Sequence, residues 1–152
     1  VKNGGRSFVV RHVDLGEYLH SLKVREILEG EAAALAVGHI AAEDLASVRR
    51  EIETLSADAP DLHTHAHWQS DDNVHGLFAD ACGNPVMAQM IRDLRVTTRL
   101  FEIARLADRV MLDNAEHLAI LDALESGDPR GARKAAQAHI KSLSRYSLKS
   151  VS

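Results

Sequence analysis

Hydrophobic positions in this chain recur at three- and four-residue intervals over long stretches, the spacing of side chains that share one face of an α-helix. Leu15, Leu19, Leu22, Leu28 and Leu35 carry the pattern from a capping Asp14 to about His39. Leu45, Val48, Ile52 and Leu55 repeat it over 41–57, and Ala59-Pro60-Asp61 breaks it. A third helix is expected over 62–82, stopped by Gly83. Asn84 then caps a fourth, with Pro85 in its first turn, which runs to about Leu106. After a break near Ala107-Asp108 a fifth ends at Ser126-Gly127, and Asp128-Pro129 starts a sixth that runs to about Leu148. Six helices with short connections predict an all-α antiparallel bundle. The opening V-K-N-G-G-R-S-F-V-V breaks this pattern. Asn3-Gly4-Gly5 reads as a hairpin turn and Ser7-Phe8-Val9-Val10 as a short β-prone run. A lone hairpin is marginal in water, so these residues are expected either to end a structure whose earlier half precedes residue 1 or to form a frayed tail.

Composition agrees with the helical reading. Aromatic residues make up 4% of the 152 and hydrophobic residues 45%, with alanine and leucine dominant, a mixture that favours helix over sheet. The net charge of −4 gives no electrostatic support for a domain that grips nucleic acid by itself. One cysteine, Cys82, excludes an internal disulfide and fits a reducing cytoplasm. No apolar run is long enough to span a membrane.

The nine histidines need sorting. His12, His20 and His39 have no partner at ligand spacing and are expected at the surface. His63, His65 and His67 lie at the polar start of the third helix, where alternate side chains diverge, and solvated surface is the expectation. His67 differs in lying one turn before Asp71, on the stripe that continues to His75, which places it at a pocket mouth. Asp71 and His75, four apart, can hold one metal ion together. His117 and His139 sit on apolar faces of two further helices. Burying three imidazoles and a carboxylate is costly unless they satisfy one another or an ion, so Asp71, His75, His117 and His139 are expected to converge on a divalent metal. This nitrogen and oxygen set suits zinc first, with nickel, cobalt or manganese as alternatives. Asp72 is a rival to Asp71, at the less favoured i−3 spacing from His75. Arg25 and Glu29, one turn apart, read either as a surface ion pair worth under about 1 kcal/mol or as an arginine aimed into a pocket and held by the glutamate.

D-D-N-V-H…A-C-G-N-P, E-H-L-A-I-L-D-A-L-E-S-G-D and A-R-K-A-A-Q-A-H-I, in this order, resemble the C-terminal effector-binding FCD domain of GntR-type transcription regulators, the FadR-like branch. L-K-V-R-E-I-L-E-G-E-A-A-A-L-A resembles that domain's first helix, with Arg25 and Glu29 in place. The resemblance covers about residues 14–148. It implies an FCD domain over 14–152 and, over 1–13, the wing and linker of a winged helix-turn-helix domain whose recognition helix lies before residue 1. It also implies a homodimer, a metal held by Asp71, His75, His117 and His139, and a small carboxylate effector beside it. Operator DNA would be bound by the N-terminal domain, not by these residues. Arg25 is the first candidate for the effector's carboxylate, and Arg95 or Arg99 on the fourth helix the second. Val74 departs from the aromatic residue usual before the first histidine. Two rival readings are a metalloenzyme, for which no general base is evident, and a metal site that only stabilises a dimerisation module.

Overall fold

A computed structural model describes residues 2–3, 7–8, 11–58 and 61–150. It is built from six helices: α1 (Leu15–Ala36), α2 (Ala42–Ala57), α3 (His65–Ala81), α4 (Pro85–Arg105), α5 (Val110–Glu125) and α6 (Pro129–Ser150). Ahead of them, two-residue strands β1 (Lys2–Asn3) and β2 (Ser7–Phe8) pair antiparallel, Lys2 opposite Phe8. A pairing this short forms no layer of its own. Gly4, Gly5, Val9, Val10 and the breaker Ala59-Pro60 lie outside the described residues.

The helix ends follow local chemistry. The Asp14 carboxylate accepts from the Glu17 amide at 2.7 Å and Asn84 from the Met87 amide at 3.0 Å, so both caps form where the sequence places them. α1 stops at Ala36, three residues earlier than expected, because Gly38 adopts φ 83° and turns the chain out of the helix. α3 starts at His65 rather than Leu62. The His63 amide bonds to the Ala107 carbonyl at 2.7 Å, which draws 61–64 into a strap across the start of α5, and Thr64 becomes the cap.

α1 lies at the centre, packed on α6, α4 and α3, while α5 packs on α6 and α2. Its buried face keeps part of the expected leucine line, with Leu22 buried and Leu15 and Leu28 packed against the cores. Tyr18, Leu22, Arg25, Glu29, Ala32, Ala33 and Ala36 face inward, and Leu35 is 43% exposed. Small residues explain the choice. A Cβ at Gly30 would come within 2.9 Å of the Gln137 side chain, and Ala32, Ala33, Ala132 and Ala136 share one core, so α1 and α6 approach too closely for leucines.

Two apolar cores result. One holds Ile52, Val74, Phe78, Ile91, Ile120 and Leu121 with those alanines. The other holds Tyr18, Leu22, Phe101, Leu106, Ile140 and Leu143, with Tyr18 stacked on Phe101. Along α1, α4 and α6 the inward stripe passes from one core to the other through charged or imidazole residues: Arg25 and Glu29, Arg95 and Glu102, and His139. A buried polar layer therefore divides the bundle. Among the described residues no helix is long and apolar enough to cross a membrane.

Candidate metal centre

Four side chains meet in that layer. Asp71 and His75 come from α3, His117 from α5 and His139 from α6, and one ligand atom of each lies within 4.8 Å of all the others. The three imidazoles are 1–3% exposed. Asp71 Oδ1 is 3.1 Å from His117 Nε2 and 3.4 Å from His75 Nε2. Neither contact has hydrogen-bond geometry, and both Nε2 atoms are buried without a hydrogen-bond partner. Leaving two such atoms unpaired costs about 1–3 kcal/mol each, unless something else fills the point they face.

The far nitrogens explain their orientation. His75 Nδ1 donates to Glu29, and His139 Nδ1 donates to Glu116 at 2.7 Å. With the proton on Nδ1, the Nε2 lone pair is free for a metal. Asp71 divides its oxygens in the same way. Oδ2 accepts from Arg95 at 3.0 Å and Arg99 at 2.9 Å, while Oδ1 faces the histidines. Asp72 also accepts from both arginines but is 59% exposed, so it is the outer partner and Asp71 the inner one. Burial works against the Asp71 charge; the Arg95 guanidinium, with His75 and His117 close by, outweighs it and holds the carboxyl well below its ordinary range. Unpaired buried Nε2 atoms, fixed tautomers and an ionised carboxylate fit a divalent cation.

Arg25 is not a surface residue. It is 1% exposed, bonds Glu29 at 2.5 Å and Thr98 at 3.1 Å, and lies 3.5 Å from Glu102. Glu29 is fully buried. Burial would raise its pKa, but Arg25 and His75 hold it far below the usual carboxylate range. Glu102 behaves oppositely: burial, with Asp71 nearby, raises it despite Arg25, and it accepts from Tyr18 at 2.9 Å. Arg25, Asp71, Glu102 and His139 line one small cavity of about 10 Å³ with Trp68, Leu106, Asp113 and Leu143. Two of the four cluster residues, Asp71 and His139, therefore line the same small space as the arginine.

The remaining candidates are placed as follows. His67 closes the capping box of α3, Nδ1 accepting from the Thr64 amide at 3.1 Å, and its Nε2 is buried without a partner. Arg99 additionally lies over the Trp68 ring at 5.0 Å. His12, His20, His39 and His65 are exposed, as expected. His63 is not. Its side chain is 4% exposed, stacked on Trp68, with Nδ1 2.7 Å from the Ala107 carbonyl and Nε2 2.9 Å from Asp113. The strap, not a helix start, carries it inward, so the alternation argument did not apply. Both its nitrogens face oxygens. Burial opposes the imidazolium, and the bonds to Asp113 and Ala107 overcome that, raising its pKa.

Sequence reasoning also missed Glu116, Arg109, Asp113, Tyr18 and Glu102. Arg109 is buried and donates to Asp113, Glu116 and Ser142. Asp113, Glu116 and His139 together resemble a second metal cluster, but the guanidinium already occupies the space between the carboxylates. Helical spacing was the available signal: 109, 113 and 116 share a face, as do 18, 22 and 25, and 95, 98 and 102.

The FCD domain family's sequence pattern matches residues 20–142. The chain belongs to the FCD domain family. Among solved structures its fold is similar to the metal-free FCD domain of TM0439, a transcriptional regulator (TM-score 0.79, 21% identity, 93% of this chain and 98% of that one). McbR/YncC of E. coli aligns at TM-score 0.76 and 20% identity, over 97% of this chain and 76% of that one. A GntR protein of Streptococcus agalactiae aligns at 0.62 and 18%, over 85% of this FCD domain and 58% of that chain. No curated protein matches in sequence.

Proposed function

We propose that this FCD domain is the effector-binding part of a GntR-type transcription regulator. It holds one divalent ion, zinc first and nickel or manganese next, through Asp71, His75, His117 and His139. A small organic acid binds beside the ion and changes operator binding by a winged-helix domain ahead of residue 1, whose wing the opening residues close. The observation that carries this reading is the pair of buried, unpartnered Nε2 atoms of His75 and His117 facing Asp71 Oδ1, with Asp71 and His139 lining a small cavity beside Arg25.

The bound ion would supply positive charge for a carboxylate. Arg25 lines that space, poised by Glu29 and Thr98. Arg95 and Arg99 hold Asp71 and Asp72 through Nη2. His67 offers its free Nε2 at the start of the same helix. A homodimer is supported by the exposed apolar residues of two adjoining helices, Val24, Ile27 and Leu35 on α1 and Val86, Met90, Val96, Leu100 and Ile103 on α4.

The test is a thermal-shift screen of small carboxylates on zinc-loaded wild type and Arg25→Ala. An acid at 100 times its Kd stabilises by about 2.7 kcal/mol. Wild type is expected to respond and Arg25→Ala to keep zinc but lose the response. No response from wild type to any small acid, with zinc bound, contradicts the effector reading. The TM0439 domain is described as metal-free, which supports the expectation that variants lacking the ion still fold.

A further inference from the structure

We propose that Glu116 is a positioning residue for the metal centre: clamped by Arg109 and Ser142, it fixes the proton of His139 on Nδ1 and presents Nε2 to the ion. The inference rests on the metal reading above and adds a residue from outside the four ligands.

The geometry is specific. Glu116 Oε1 accepts from His139 Nδ1 at 2.7 Å. Arg109 Nη2 lies 2.9 Å from both Glu116 oxygens, and Ser142 donates to Oε2 while accepting from Arg109. The carboxylate is therefore held from two further sides, and its contact with His139 cannot turn freely. Arg109 itself is buried and is anchored a second time on Asp113, one turn along α5. Burying a guanidinium is unfavourable unless carboxylates surround it. Here one of those carboxylates faces a ligand candidate, so the buried charge has a consequence at the metal. The opposite side of the site has the same order of residue types, Arg25 on Glu29 on His75. A carboxylate on the far nitrogen of a ligating imidazole sets its tautomer and makes it a better donor, and losing such a partner lowers metal affinity about 10–100-fold.

Two measurements test the assignment. Long-range proton–nitrogen NMR of metal-free wild type is expected to show the His139 proton on Nδ1. Zinc affinity, from competition with a chelator, is expected to fall about 10–100-fold in Glu116→Gln with one ion per chain retained, and less in Ser142→Ala. The visible spectrum of the cobalt-loaded variant should shift, which a purely structural role would not require. A proton on Nε2 of His139 in wild type overturns the proposal whether or not any variant folds. Wild-type affinity in Glu116→Gln overturns it while leaving the metal reading intact. A wild type that binds no zinc overturns both.

Discussion

On the α1 side of the cluster Arg25 holds Glu29 and Glu29 holds His75. On the α5–α6 side Arg109 holds Glu116 and Glu116 holds His139. The first relay is sealed: both Glu29 and the Arg25 side chain are at most 1% exposed, and Arg25 also lines the cavity. The second is looser, with Glu116 22% exposed, and it runs on through Arg109 and Asp113 to His63 on the strap. One chemical device thus serves two purposes. Beside the cavity it keeps an arginine charged and aimed at the proposed effector. Across the site it ties the candidate ligand His139 to the strap, whose His63 stacks on Trp68.

The largest effect should come from opening the sealed relay. Glu29→Gln leaves Arg25 buried without its main counter-charge and should cost about 3–5 kcal/mol in urea unfolding. Glu116→Gln should cost less, about 1–3 kcal/mol, because its carboxylate is partly solvated and Arg109 keeps Asp113. Equal costs would break the comparison.

Acid should act on the second relay. Burial disfavours a charged His139, Glu116 opposes that, and His117 and His75 add to it, so its pKa is lowered to about 4 from 6.5. The unfolded chain binds this proton at higher pH than the folded one. Stability from neutral His139 is therefore complete above about pH 6.5 and is lost as pH falls toward 4, on the order of 3 kcal/mol in metal-free protein. Glu116, lowered to about 2, extends the loss below that window. Urea midpoints of metal-free protein that stay flat between pH 7 and 4 would contradict this.

His63 has the opposite sign. Its raised pKa makes its contribution full below 6.5 and lost as pH rises through the folded value. His63→Gln should cost about 1–3 kcal/mol at pH 6 and progressively less as the pH is raised. The smallest effect is expected at Asp72→Asn. That carboxylate is 59% exposed and shares its arginines with Asp71, so under about 1 kcal/mol should be lost.

Legibility follows the same division. Asp71 with His75, and Arg25 with Glu29, are i,i+4 pairs on single helices, and spacing alone brings such pairs together. The helix count and the Asp14 and Asn84 caps were legible for the same local reason. That His117 and His139 would meet Asp71 was inferred from the cost of burying them, a global argument. The contacts of Glu29 with His75, 46 residues apart, and of Glu116 with His139, 23 apart, depend on how helices are rotated against each other. Periodicity does not fix that rotation. It was right in α1 for Leu15, Leu22 and Leu28 but not for Leu35, because at that end alanines and Gly30 make the close contacts instead. His63 was misread because one hydrogen bond to Ala107 turned an expected helical turn into a strap.

The most direct test of the metal centre is elemental analysis of untagged protein beside His117→Ala, after incubation with zinc, nickel or manganese and dialysis. About one ion per chain in wild type, lost in the variant while its helical circular dichroism persists, is the predicted result. Wild type that retains none of the three metals would contradict the assignment of Asp71, His75, His117 and His139 as ligands.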